Sequence, residues 1–192
     1  PGSLPADTQL LARALFGCVL VRESDGATTT RHIIETEAYL SNNPACHAYR
    51  GRSKRNGTLF GPPHRSYVYQ IYGTSFCFNV SSEADGEGAG VLVRALEPLE
   101  GVEVMHRRRA VDTARDLCRG PGRLCQALAI DRSLDGLDLY ADNALWLAAS
   151  NGVRGRVRRS RRIGISVAAN RRLRFYEAGN PYLSGPESLS PA

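Results

Sequence analysis

Two carboxylates and a phenol occupy alternate positions of one β-rich run, at Glu35, Glu37 and Tyr39. Side chains along a strand alternate between its two faces, so these three share one face. Two isoleucines precede them, and burying two carboxylates in an apolar setting is costly without a purpose. Glu37 beside Tyr39 therefore offers a general base or a nucleophile next to an aromatic wall. On spacing alone, a simply solvated face remains the alternative.

A second run contains three tyrosines within six residues, Tyr67, Tyr69 and Tyr72, in a chain that is only 7% aromatic. By the same alternation, Tyr67 and Tyr69 point one way, whereas Tyr72 points the other way at the tip of a hairpin that turns at Gly73-Thr74. Proteins that bind unstacked nucleic-acid bases commonly do so with aromatic side chains close to arginines. A tyrosine-rich strand pair that packs a core is the alternative.

Arginine carries most of the positive charge. Arg94 lies within the apolar run GVLVRALEP, where a buried guanidinium needs carboxylate partners, and a glutamate of the earlier strand is a plausible one. Residues 154–162 hold six arginines in nine positions, which indicates either a cationic surface or a solvated charge run. The excess of 25 basic over 19 acidic residues, a net charge of +6, favours a phosphate-rich partner.

Length and composition indicate one domain over residues 1–192, with Pro1–Ser3 expected to be a cloning remnant or a trimmed start. A hydrophobic content of 42% is enough for a core, and no run approaches the ~18 apolar residues of a membrane span. Five cysteines without a CxxC pair argue against disulfides and structural zinc. The glycine-rich segment 85–90 precedes its strand and contains acids, so we interpret it as a turn. No metal or cofactor is expected.

The elements that must position these residues are α+β in pattern, because strands dominate the first half, helices interrupt, and strands return. Asp7 or Thr8 and Gly17 suit the ends of the first helix, and Asp25-Gly26 suits a hairpin turn. The sequence predicts a helix over 6–16, strands in CVLVRES, TTTRHIIETEAYL, SYVYQIY, FCFNVSS, GVLVRALEP and NALWLA, a loop over 41–65, helices over 99–109 and 122–129, a basic loop over 151–162, and closing strands in IGIS and LRFYEA.

Several of these segments together resemble a known family, the alkyladenine (3-methyladenine) DNA glycosylases that are distinct from the helix-hairpin-helix glycosylases. The matching words, in order, are IETEAYL, SKRNGTLF, YVYQIYG, FCFNVSS, LVRALEPLEG, GPGRLCQALAI and LRFYEAGNPYLS. The resemblance covers nearly the whole chain and suggests a bacterial member. It implies a single mixed domain with a curved, largely antiparallel sheet, flanking helices and a protruding hairpin that enters the DNA minor groove.

The resemblance also implies a role for each matching residue. Glu37 corresponds to the general base, Arg94 to the arginine beside the catalytic water, and Tyr72 to the tyrosine that intercalates where the base has left. Asn79 corresponds to the residue that excludes the amine of guanine. The resemblance implies contact with the damaged base at five further residues, namely Tyr39, Tyr69, His47, Ala45 and Ile165. It implies contact with the DNA backbone at Arg50, Arg52, Lys54 and Arg55.

The expected activity is that of a monofunctional glycosylase, which flips alkylated or deaminated purines out of double-stranded DNA and leaves an abasic site. The protein is expected to be a monomer without membrane association. It is expected in the cytoplasm, associated with the nucleoid, if the source is a bacterium, and in the nucleus if the source is a eukaryote. The sequence departs from relatives at Thr74, where they often carry a larger side chain, and in the arginine run, which has no counterpart. A non-catalytic module that binds damaged DNA or RNA on the same scaffold is the alternative.

Overall fold

The fold is built around one long strand. In the computed structural model, which describes residues 3–149 and 155–191, eight strands and three α-helices are formed. Pro1, Gly2 and Arg154 lie outside the described residues. The strands are β1 (Cys18–Ser24), β2 (Ala27–Tyr39), β3 (Ser66–Gln70), β4 (Phe76–Ser81), β5 (Gly90–Glu100), β6 (Leu145–Ala149), β7 (Val157–Ser160) and β8 (Arg174–Glu177), and the helices are α1 (Thr8–Ala14), α2 (Val102–Arg109) and α3 (Pro121–Ala127).

Local sequence signals account for the first elements. The side chain of Asp7 accepts hydrogen bonds from the backbone N–H groups of Gln9 and Leu10, which caps α1 as predicted. Asp25 and Gly26 have φ angles of 55° and 70°, the left-handed conformation that a tight hairpin between β1 and β2 requires. Both predictions are confirmed.

The sheet is antiparallel in every pairing and runs in the order β3-β4-β5-β2-β1-β6. One edge of β2 pairs with β5 along most of its length. The other edge pairs with β1 in its first half and with β8 at residues 35–37. The register between β2 and β5 is irregular on both sides of Glu35. Such irregularities bend a strand and increase its twist, which suits the curved sheet that the resemblance implied.

Helices α1 and α3 pack on this sheet to form the main hydrophobic core, which includes Leu11, Leu15, Phe78 and Leu124. A separate small core lies beneath the long loop that follows β2. It contains the buried residues Cys46, Ala48, Leu59 and Tyr67, against which Tyr39, Phe60 and Tyr69 pack. The loop packs closely against the segment between β4 and β5, because a Cβ atom added to Gly88 would lie 2.5 Å from the Cβ atom of Ala48.

Two predicted elements are wrong in part, and a third is wrong. The helix expected from residue 99 begins at Val102, because β5 continues to Glu100. The basic segment expected to be a loop over 151–162 forms β7 in its described part, which pairs with β8. Residues 163–166, predicted as a strand, have no strand partner and instead bend around the site described below.

All five cysteines are free and buried. None of the helices formed within residues 3–149 and 155–191 has both the length and the apolar composition that a membrane span needs.

Candidate active site

A cavity of about 110 Å³ opens between the long loop, β2 and β3. The six residues that the sequence analysis placed around the damaged base all line it. The complete lining is Tyr39, Ala45, Cys46, His47, Leu59, Tyr67, Tyr69, Asn79, Gly90 and Ile165. The side-chain amide of Asn79 is itself held, because its Nδ2 donates to the carbonyl oxygen of Tyr67 at 3.1 Å.

Aromatic rings form much of this wall. The ring centroid of His47 lies 4.4 Å from that of Tyr69 and 6.1 Å from that of Tyr67. His47 Nδ1 is 3.0 Å from the hydroxyl oxygen of Tyr67, a hydrogen bond that orients the imidazole. Burial and the nearby charge of Arg55 lower the pKa of His47, so the ring is neutral at neutral pH. The imidazole of His47 therefore adds no positive charge to the aromatic wall.

Glu37 is fully buried and is connected to the cavity through Tyr39, so a simply solvated face is ruled out. One carboxylate oxygen, Oε1, accepts a hydrogen bond from the backbone N–H of Ile163 at 2.7 Å and lies 3.4 Å from Nη1 of Arg94. The other oxygen, Oε2, accepts a hydrogen bond from the hydroxyl of Tyr39 at 2.9 Å. One cavity ring is thus connected directly to the carboxylate.

Burial and pairing act in opposite directions on this carboxylate. Burial raises the pKa of Glu37, while the charge of Arg94 and the hydrogen bonds from Ile163 and Tyr39 partly offset that increase. For Arg94, burial lowers the pKa, but the charges of Glu37 and Glu35 outweigh it, so the net pKa is raised and the guanidinium stays charged. The result is a carboxylate of increased basicity beside a fixed cation, which suits a general base.

Glu35 is a component that the sequence analysis did not assign to the site. Also fully buried, its carboxylate accepts from Nε of Arg94 at 3.2 Å and from Nε of Arg174 at 2.7 Å. The N–H and hydroxyl of Ser184 donate to it at 2.6 and 2.8 Å. Glu35 thereby fixes the guanidinium that faces Glu37. The alternation of Glu35 with Glu37 along β2 was the sequence signal that could have placed Glu35 in the site. For Arg174 the sequence held no such signal beyond its place in LRFYEA.

Arg162 is another residue that the sequence analysis missed. It belongs to the arginine run, yet only 5% of it is exposed. Its Nη1 donates to the carbonyl oxygen of Ala38 at 3.1 Å, and its guanidinium carbon lies 4.6 Å from the ring centroid of Tyr39. Nothing in the sequence separates it from Arg159 or Arg161, since all three occur in the same charged run.

Tyr72 lies at the tip of the β3–β4 hairpin and is 92% exposed. The tip is a defined turn, because the N–H of Ile71 donates to the carbonyl oxygen of Ser75 at 2.8 Å and Gly73 adopts a φ of 57°. An exposed ring on a narrow, ordered hairpin is suited to enter a groove and stack on bases.

The four cations expected at the DNA backbone are exposed and lie together on the long loop, namely Arg50, Arg52, Lys54 and Arg55. Arg55 donates to the carbonyl oxygen of Gln70 at 3.1 Å, which ties the loop to the hairpin. A groove of about 530 Å³ next to the cavity is lined by Lys54, Arg55 and also Arg132, which the sequence analysis did not identify. The positive surface therefore continues from the hairpin to the cavity.

Comparison with known proteins gives a consistent result. A model of the family described as methylpurine-DNA glycosylase (MPG) matches residues 3–181. A Mesorhizobium japonicum protein named "Putative 3-methyladenine DNA glycosylase" is 52% identical over 97% of this chain and 89% of its own length. A Carboxydothermus hydrogenoformans protein of the same name is 43% identical over 93% of this chain and 94% of its own length. The Mus musculus "DNA-3-methyladenine glycosylase" is 47% identical over 91% of this chain and 57% of its own length.

Proposed function

This chain belongs to the methylpurine-DNA glycosylase family, a family of hydrolases that act on N-glycosyl bonds, and we propose that it excises alkylated and deaminated purines from duplex DNA. The proposed substrates are 3-methyladenine, 7-methylguanine, hypoxanthine and ethenoadenine. The observation that carries the proposal is the buried Glu37, paired with Arg94 and hydrogen-bonded to a tyrosine of the aromatic cavity.

Access to the glycosidic bond requires the nucleotide to leave the helix. Extruding it costs a few kcal/mol in lost stacking and pairing. Tyr72, exposed on its hairpin, fills the gap and slows the return of the base. The cations of the long loop bind the flanking phosphates and set the register of the protein on the duplex.

Recognition follows from the aromatic wall. An alkylated purine is electron-poor or cationic, so its stacking on Tyr39, Tyr69 and His47 is favoured over that of a normal purine. Cation–π attraction contributes about 1–2 kcal/mol for each desolvated contact. Asn79, held in the cavity by its bond to Tyr67, disfavours the exocyclic amine of guanine.

The chemical step uses Glu37 as the base. Its carboxylate accepts a proton from a water molecule, and the water oxygen forms a bond to C1′ as the glycosidic bond breaks. The bonding electrons leave with the purine, and a cationic lesion departs as a neutral base. Neutral lesions such as hypoxanthine also need a proton on the ring. Arg94 orients the water and keeps Glu37 ionised, while the carboxylate offsets the oxocarbenium charge of the sugar.

We further propose that strand cleavage does not accompany base release. A lyase of this kind needs an amine that forms a Schiff base with the sugar. The only lysine of the chain, Lys54, is exposed and is not among the residues that line the cavity. The expected product is therefore an intact strand with an abasic site.

A gel assay tests the proposal. Duplexes that contain inosine, ethenoadenine or 7-methylguanine are incubated with the protein, and the strand is examined before and after alkali treatment. Cleavage only after alkali supports a monofunctional glycosylase, and cleavage without alkali contradicts the absence of lyase activity. Binding without base release from any duplex would favour the non-catalytic module, and preferential binding of single-stranded RNA at the same salt concentration would favour an RNA-binding module.

A further inference from the structure

Two rings of the cavity wall carry a guanidinium on one face. The guanidinium carbon of Arg162 lies 4.6 Å from the ring centroid of Tyr39, and that of Arg55 lies 5.9 Å from the centroid of Tyr69. Arg162 is almost fully buried and is not among the residues that line the cavity. Its charge therefore lies behind the ring on which a flipped base would stack, where solvent screens it poorly.

Neutral groups hold Arg162 in this place. Its guanidinium donates to the carbonyl oxygens of Ala38 and Ala168 at 3.1 and 3.3 Å and to Oδ1 of Asn43 at 3.3 Å. All three acceptors are amide or peptide oxygens without a formal charge. The positive charge of Arg162 is thus fixed by geometry and is not cancelled by a directly bonded carboxylate.

A fixed cation behind an aromatic ring acts on a base in front of it. It draws π-electron density toward itself, and it repels a positive charge on the opposite side. Resting on the proposed function, we propose that Arg162 is a specificity-determining residue that lowers the preference of the cavity for cationic purines relative to neutral ones. Arg55 acts in the same direction on Tyr69, more weakly because it is exposed.

The size of the effect follows from the distances. With stacked rings about 4.5 Å apart, the guanidinium carbon is about 9 Å from the centre of the stacked base. Two unit charges at that distance, at an effective dielectric constant between about 20 and 80, change relative binding by a factor of about 2 to 20. A neutral base does not experience this repulsion when it binds and becomes subject to it only when its ring is protonated for departure, so the effect is measured in binding.

The test compares two lesions in one protein. Dissociation constants are measured for duplexes that contain 7-methylguanine, a cation, or ethenoadenine, a neutral base, with every protein also carrying Glu37→Gln so that neither base is released. For Arg162→Gln we expect the affinity for the 7-methylguanine duplex relative to that for the ethenoadenine duplex, the affinity ratio, to rise about 2- to 20-fold over the protein that retains Arg162. Arg162→Lys keeps the charge and should retain a ratio close to that of the protein with Arg162.

The chain offers a matched control. Arg159 belongs to the same run and lies over the ring of Phe175 at 5.3 Å, but that ring does not line the cavity. Arg159→Gln should leave the ratio unchanged. A purely structural role for Arg162 would lower both affinities together and leave their ratio unchanged.

The outcomes separate the two proposals. If wild type releases neither base, the proposed function fails. If wild type releases both and Arg162→Gln leaves the ratio unchanged or lowers it, the inference about Arg162 fails while the proposed function stands. Thermal unfolding checks each variant, and Arg162→Met, which preserves an apolar contact with the ring of Tyr39, replaces Arg162→Gln if the latter does not fold. Arg162→Met is then expected to show the same rise in the ratio.

Discussion

Replacing Arg94 should move the pH profile of base release in a defined direction. In the proposed mechanism Glu37 must be ionised to accept a proton from water, so the rate is expected to fall as the pH drops through the pKa of Glu37. That pKa is already raised by burial, and Arg94 is the largest influence that lowers it. Arg94→Met removes this influence and should shift the acidic limb to higher pH.

The geometry sets the magnitude. Nη1 of Arg94 lies 3.4 Å from Oε1 of Glu37, and both side chains are at least nine-tenths buried. An opposite charge within about 4–6 Å in such a setting lowers a carboxyl pKa by about 1–3. The midpoint of the limb in Arg94→Met should therefore lie about 1–3 pH units above that of wild type.

The assay is single-turnover release of 7-methylguanine between about pH 4.5 and 9. A cationic lesion is chosen because its departure needs no added proton, so the acidic limb reports the base alone. Arg94→Lys is the control, since it retains a positive charge and should keep much of the wild-type profile. A limb that stays in place in Arg94→Met, with the protein folded, would refute the pairing argument.

Four further predictions follow from the same geometry. Tyr72→Ser removes the exposed ring and should weaken base flipping more than chemistry, measured as a smaller fluorescence change on binding an ethenoadenine duplex; an unchanged signal would remove Tyr72 from that role. Asn79→Ala should increase excision of guanine-type lesions relative to adenine-type lesions, and equal selectivity would count against the gating role. Glu35→Gln leaves two buried guanidiniums short of a partner and should lower the free energy of unfolding by about 3–5 kcal/mol in urea titrations, whereas a change below about 1 kcal/mol would contradict the network. Arg52→Ala should reduce the slope of log K against log[salt] for duplex binding by about 0.9 if it contacts one phosphate, and an unaltered slope would exclude that contact.

The buried ionic cluster itself argues for function. Glu35, Glu37, Arg94 and Arg174 place two negative and two positive groups where little or no solvent reaches them. Removing such charges from water is expensive, and buried ion pairs are often no more stable than apolar replacements. The cluster is better explained by what it does to Glu37, which it holds in place and whose charged form is favoured by Arg94. Glu35 and Arg174 act as positioning residues in this account.

Part of the site was predictable from local periodicity, whereas the roles of the other cavity residues were implied only by the family resemblance. Alternation along β2 placed Glu37 and Tyr39 on one face, and the rule that a buried arginine needs a carboxylate connected Arg94 to β2. The hairpin and its exposed Tyr72 followed from the turn at Gly73-Thr74.

What the sequence analysis missed depends on tertiary packing. Arg162 is buried because β7 pairs with β8 and the chain then bends over Tyr39, and no local pattern distinguishes it from its exposed neighbours. The four residues 163–166 look like a strand but instead supply an N–H to Glu37 and, through Ile165, a wall of the cavity. Arg174 reaches Glu35 only because β8 occupies the free edge of β2.

The central claim, that one buried carboxylate activates the water, is tested most directly by Glu37→Gln. The substitution keeps the shape of the side chain and removes its basicity. We expect single-turnover release of 7-methylguanine to fall by at least about 100-fold, the usual contribution of a general base, while affinity for the lesion duplex changes little. Release at the wild-type rate by the folded variant would contradict the mechanism.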